Sequence, residues 1–168
     1  MEEKREMAFY DDTELALKSK AVTIRLSRGE GDKYNDFHPG DEIEMKFKRW
    51  RGKTTVDGVI LAHWIMPLSE IPAGLICGEA YEVDGSTSVE VESGLRWKLR
   101  EDLSLYYREA VESDSNFHAI VCLPKSRLLN WSDFVQLEGE DPIAWIERCG
   151  EEVLGHIDAY RQLDMVEI

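Results

Sequence analysis

The segment AVTIRLS, residues 21–27, alternates strictly between apolar and polar side chains, with Val22, Ile24 and Leu26 on one side and Thr23, Arg25 and Ser27 on the other. A period of two belongs to a strand, because successive Cβ atoms point to opposite faces of a sheet, and it excludes a helix over this stretch. The alternation returns at Ile43, Met45 and Phe47, interleaved with Glu44, Lys46 and Lys48. TTVDGVILAHWI, residues 54–65, reads as the hairpin partner of that second strand, and FHAIVCLP, ended by Pro124, as a further short one. Between the first two strands, RGEGDKYNDFHPGD has the composition of a loop, closed by the Pro39-Gly40 turn. Short alternating strands joined by such turns predict a small, mostly antiparallel sheet.

Helical segments flank it. Asp11 and Asp12 suit the start of a short helix over TELALKSK, and EDLSLYYREAVESD carries an apolar face of Leu103, Tyr106, Tyr107 and Ala110. PLSEIPAGLICGEAYEV reads as a short helical turn and a connection, punctuated by Pro67 and Pro72. Leu95, Trp97 and Leu99 alternate as a strand would. Past Pro124 the character changes. NWSDFVQL predicts a short helix and residues 141–163 a longer one, started by Asp141 and Pro142, with a stripe of Ile143, Ile146, Val153 and Ile157 broken by Gly150. The expected fold is α+β, with one domain over 1–124 and a helical C-terminal extension over 125–168 packed on it.

With 168 residues, 43% of them hydrophobic, the chain is long enough for one filled core and short for two. No long apolar run, leader or lipidation pattern is present, which predicts a soluble, cytoplasmic protein without a membrane partner. Cys77, Cys122 and Cys149 are odd in number and widely spaced, and His38, His63, His118 and His156 form no ligand spacing with them. This predicts reduced thiols, no metal and no cofactor. The net charge of −14 opposes a protein that coats nucleic acid with its whole surface. The imbalance is uneven: residues 1–60 carry 12 basic and 13 acidic side chains, and the remainder 8 and 21. A patch for a polar or acidic ligand therefore belongs to the first third.

In that third, LKSKAVTIRLSRG gathers two lysines, a threonine and two arginines at a helix-to-strand junction. Thr23 and Arg25 share the face opposite Val22, Ile24 and Leu26, and a turn near Ala21 brings Lys20 round to them. A lysine desolvated or placed among cations loses proton affinity and can take a proton from a hydroxyl, which Thr23 supplies. A carboxylate is needed to orient the lysine and return the proton to a leaving amine. Most Lys and Thr pairs near a strand start are only solvated surface.

KSKAVTIR, the loop after it and FHPGDEIEM together resemble the ASCH family, a PUA-like β-barrel group with a Gly-x-Lys-x-x-Thr-x-Arg motif and a Pro-Gly-Asp-like turn opening a strand. Lys20, Thr23 and Arg25 fall on the motif, Gly40-Asp41 on the turn, and the similarity covers about residues 8–124. Within the family the chain is most similar to small bacterial amidohydrolases that deacetylate N(4)-acetylcytidine with a lysine, a threonine and a glutamate. The resemblance implies a metal-independent hydrolase of an acylated nucleobase or nucleoside, with Lys20 as base, Thr23 as nucleophile or water holder and Arg25 as substrate anchor. An ungapped match places the glutamate at Glu79, with Glu70 and Glu82 as competitors. Lys18 stands where the family has glycine, residues 80–100 resemble an insertion, and the tail has no counterpart in the minimal enzymes. The tail is expected to add a layer without completing the active site.

A second reading rests on KFKRWRGK, residues 46–53, where Lys46, Lys48, Arg49, Arg51 and Lys53 surround Phe47 and Trp50, a composition suited to stacking bases and holding phosphates. It predicts an RNA-binding or regulatory ASCH module, or a ribonuclease as some relatives are thought to be. The competing explanation is a hairpin tip kept soluble by its charge. His118 and Cys122 can share a strand face, where the thiol is expected as a small buried hydrophobe. Trp64, Trp97, Trp131 and Trp145 are expected in the core or an interface. Oligomeric state, acyl group and base stay open.

Overall fold

A computed structural model describes residues 5–10, 13–48 and 54–163, and of residues 13–15 the backbone only. Five strands form one curled sheet in the order β1-β3-β4-β5-β2: β1 Arg5–Phe9, β2 Val22–Leu26, β3 Glu42–Phe47, β4 Thr54–Pro67 and β5 Asn116–Pro124. β3–β4, β4–β5 and β5–β2 are antiparallel, while β1 joins β3 in parallel, so the sheet is mixed. The helices are α1 Thr13–Lys18, α2 Ala73–Ile76, α3 Ser88–Glu112, α4 Pro142–Trp145, α5 Glu151–Leu154 and α6 Asp158–Gln162.

The alternation of each strand now has two apolar destinations. Val22 and Ile24, with Val59, Leu61, Phe117, Ala119, Val121 and Leu123, join the larger core between the sheet and the helices. The opposite face curls inward on a smaller core, where Met7, Phe9, Ile43, Met45, Phe47, Ile60, Ile120 and Cys122 meet Tyr34 and Phe37 from the loop after β2. We call this concave side the lumen. Phe9 stacks on Phe47 with centroids 5.2 Å apart. β1 and β2 are the two ends of the sheet, and the Arg25 side chain reaches across from β2 to donate to the Ala8 carbonyl of β1 at 2.8 Å.

One irregularity sets what enters the lumen. The β4–β5 register slips between Ile60 and Ala62, which places Leu61 and Ala62 consecutively in the larger core. A bulge adds one residue and so exchanges the faces of everything after it. His63 thereby joins the face of Ile120 and turns inward.

Two expectations are corrected. Residues 88–100 are helical: Thr87 caps α3 by accepting from the Glu90 amide, and Val91, Leu95, Leu99 and Leu103 form a buried stripe while Trp97 is 63% exposed. Leu95 and Leu99 also share a helix face, being four apart, so a short alternation with Trp97 between them mimicked a strand. In the tail, the 141–163 helix runs on through α4, a π turn Ile146–Gly150 and α5 to Leu154, and is broken only at residues 155–157, before α6. The wider turn rotates the apolar stripe, leaving Ile143 exposed and burying Trp145 completely. Asp141 does cap α4, accepting from the Ala144 amide at 2.8 Å. Trp145, Ile146, Cys149, Val153, Leu154 and Tyr160 belong to the same core as β2, β4 and β5, so the tail shares the domain's interior. Among the described residues, no helix is long and apolar enough to cross a membrane.

Candidate active site

Lys20 and Glu79 meet. Their Nζ and Oε2 atoms lie 2.8 Å apart, with side chains only 12% and 9% exposed. The other Glu79 oxygen accepts the amide of Ile24 at 2.9 Å, on the side of β2 turned away from β5. Glu79 is delivered by tight local packing: it ends a 3-10 turn Cys77–Glu79, and the Gly78 carbonyl accepts from the Ala21 amide at 2.8 Å. A Cβ at Gly78 would stand 2.3 Å from Val22 Cγ2, so only glycine lets this turn approach β2 so closely. Glu70 and Glu82, the competing carboxylates, are exposed, and the buried ion pair with Lys20 is made by Glu79.

Thr23, 2% exposed, faces the lumen. Its Oγ1 accepts from Arg25 Nε at 2.8 Å. The Arg25 guanidinium also donates to Tyr34 Oη at 3.0 Å and to the Ala8 carbonyl, and lies 5.4 Å from the Phe9 centroid and 5.6 Å from that of Tyr34. Each guanidinium nitrogen thus has an intramolecular partner, an arrangement that holds Thr23. A charged donor on the hydroxyl oxygen favours its deprotonated form.

The crevice beside Lys20 is lined by Phe9, Ala16, Val22, Met45, Phe47 and Cys122 and has no room for a water molecule. Burial pushes the Cys122 thiol up to about 12, against the pull of the Arg25, Lys20 and Arg127 charges, which makes it a buried hydrophobe. A wider groove of about 540 Å³ opens along the backbone next to the pair, with Ser19, Ala80 and His156 among its walls.

Sequence reasoning missed a second polar line in the lumen. Asp32 caps the 3-10 turn Lys33–Asp36, with Oδ1 accepting the Tyr34 amide at 3.0 Å and Oδ2 the Arg28 amide at 2.9 Å. Oδ2 also lies 3.1 Å from His118 Nε2, His118 Nδ1 lies 2.7 Å from His63 Nε2, and His63 Nδ1 lies 2.6 Å from the Phe37 carbonyl. Burial alone would raise the Asp32 carboxyl, but the Arg28 and Tyr34 amides and His118 outweigh it and leave it lowered. The Asp at the end of a Gly-rich loop was the available signal for a cap, whereas the inward turn of His63 depends on the bulge.

The tail also touches the site. Arg127, in the turn after β5, donates from Nη1 to the Lys20 carbonyl at 2.8 Å and to the Leu17 carbonyl at 3.3 Å, and His156 Nε2 lies 3.3 Å from the Ser19 carbonyl. The tail, expected to add a layer without completing the active site, holds the backbone that carries the lysine. Of the basic hairpin, Lys46 pairs with Glu6 at 2.5 Å and Lys48 is exposed, while Arg49, Trp50, Arg51 and Lys53 lie outside the described residues. Among the described residues, no group of three or more His, Cys, Asp or Glu side chains is arranged to hold a metal ion. No family model matches the chain, and no curated protein and no solved structure matches it.

Proposed function

We propose that the chain is an ASCH-like amidohydrolase on a PUA-like half-barrel, acting in the cytoplasm on an acylated nucleobase or nucleoside such as N(4)-acetylcytidine. The observation that supports this reading is the buried Lys20–Glu79 pair, whose glutamate also accepts the Ile24 amide next to Thr23, while the Thr23 oxygen itself is held by Arg25.

The chemistry follows from a pair withdrawn from water. Burial penalises separated charges, so a proton can pass from the Lys20 ammonium to the Glu79 carboxylate without changing the pair's net charge. The free amine then takes the Thr23 hydroxyl proton as Oγ1 adds to the acyl carbonyl, whose π pair moves to its oxygen. When that pair returns, the C–N bond breaks and the leaving amine takes the proton from Glu79. Water, deprotonated by the same pair, then hydrolyses the threonyl ester and restores the hydroxyl. In this scheme Arg25 positions Thr23, a narrower role than substrate anchor. The acyl group must part Phe9 and Phe47 to enter, since the crevice is closed.

The purified chain is to be incubated with N(4)-acetylcytidine and other acyl nucleosides, with and without chelator, while free base and acid are measured. Turnover that survives chelation and vanishes in Lys20→Ala and Thr23→Val supports the reading. Lack of any turnover together with tight, salt-sensitive RNA binding would replace it with the RNA-binding module.

A further inference from the structure

The four ring nitrogens of His63 and His118 all have partners, and the partners dictate the protons. The Phe37 carbonyl can only accept, so His63 Nδ1 carries hydrogen. The Asp32 carboxylate can only accept, so His118 Nε2 carries hydrogen. One further hydrogen lies between His63 Nε2 and His118 Nδ1, 2.7 Å apart. Three hydrogens on two rings make one net positive charge, opposite one carboxylate.

We infer that this singly charged imidazole pair is a latch that positions Thr23, by clamping the turn that carries Tyr34. The pair holds Asp32 at one end of the turn Lys33–Asp36 and the Phe37 carbonyl at the other. Between these ends, Tyr34 accepts from Arg25, which in turn donates to Thr23. His118 is also the direct cross-strand partner of Arg25, and the Tyr34 and His118 rings lie 5.6 Å apart. Losing either end of the clamp frees Tyr34 to leave Arg25, and Thr23 with it.

The latch closes at one protonation state. A fourth ring proton sets N–H against N–H across 2.7 Å. Removal of the third leaves two acceptors facing each other. The charged and titratable groups around the pair are Asp32 and Tyr34 from the turn, His38 just beyond it and Arg25 from β2. Burial above all pushes His63 below its ordinary value, helped by the charges of His118 and His38 and opposed by the Phe37 hydrogen bond.

The kinetic part of this inference rests on the amidohydrolase reading; its spectroscopic part does not. In the full chain, nitrogen-15 spectra of the imidazoles near neutral pH should count three ring protons on the two residues, and the Arg25 Nε–H should be protected from exchange. His63→Gln keeps a donor for Phe37 and an acceptor for His118 but cannot titrate. It should retain kcat within about threefold and lose the acid limb of the kcat–pH profile. His63→Leu should lower kcat about tenfold or more with KM little changed, and should expose the Arg25 Nε–H. Two neutral rings with one N–H each, or an acid limb that persists in His63→Gln, would overturn the latch. If the wild type turns over no acyl nucleoside, the functional reading falls, and the ring-proton count with Arg25 protection in His63→Leu decides the latch by itself. Unchanged protection there would refute it.

Discussion

The two faces of the sheet solve opposite problems. The face under the helices is filled by apolar side chains from Val22 to Tyr160, and its packing is what keeps the molecule folded. The lumen is smaller and carries Thr23, Arg25, Asp32, Tyr34, His63 and His118 alongside its apolar residues, each polar group bonded to another. A buried polar group costs stability unless it is satisfied, and an apolar filling would have held the lumen equally well. Polar residues are concentrated on one face, with the Lys20–Glu79 pair at its edge, and that is the face on which the proposed amidohydrolase reading places its chemistry.

The sharpest way to break this comparison is to remove the tail. A 1–124 fragment loses Trp145, Ile146, Val153, Leu154 and Tyr160 from the larger core, and it should fail to give a cooperative unfolding transition. A fragment that folds with near-native stability would show the tail to be a mere layer. Within the full chain, Trp145→Ala should cost about 3–5 kcal/mol in denaturant titration.

At the lumen's edge, Lys20→Ala should lower kcat/KM for an acyl nucleoside about a thousandfold. Because the side chain is only 12% exposed and paired, it should also lower stability by about 3 kcal/mol, more than a surface lysine would. If Lys20→Ala proved as stable as the wild type, the pair would be wetter than its geometry indicates.

Acid should weaken the lumen in two steps. His63 lies below its ordinary 6.5, so its contribution is complete above that pH and is lost as pH falls toward the lowered value. Asp32 lies below its ordinary 3.8, so its contribution is lost only as pH falls further, through its own lowered value. Thermal unfolding followed against pH should show both steps, and Asp32→Asn should erase the lower one. A midpoint unchanged from about pH 7 to about pH 5 would contradict the first step.

The smallest effect distinguishes reactivity from burial. Cys77, Cys122 and Cys149 are all free, buried and shifted upward by desolvation, so a thiol reagent should label none of them in the native state and all three after unfolding. Rapid native labelling of Cys122 would mean that the crevice beside Lys20 opens readily.

Local pattern carried the strands well where one face was apolar, as at residues 22–26, 43–47 and 117–123, because a period of two leaves little choice of conformation. It failed at β1, which was not anticipated: REMAF is too short and too charged to announce a strand, and it is held by pairing with β3. Of the candidate site, Lys20, Thr23 and Arg25 were legible as neighbours in one motif. That Glu79 and neither Glu70 nor Glu82 reaches Lys20 rests on the contact of Gly78 with Val22, between residues 56 positions apart.

The sequence by itself determined the alternating faces, the turns and the caps, since these depend on neighbours a few residues away. Only the tertiary structure decided that the face bearing Thr23 is the inside of a half-barrel, because curling is a property of the whole sheet. It alone turned His63 inward through the bulge, brought Asp32 across 86 residues to His118, and placed Arg127 on the Lys20 carbonyl. Such contacts have no period to read. They arise when hydrogen-bonding groups shut away from water must find partners wherever the fold has put them.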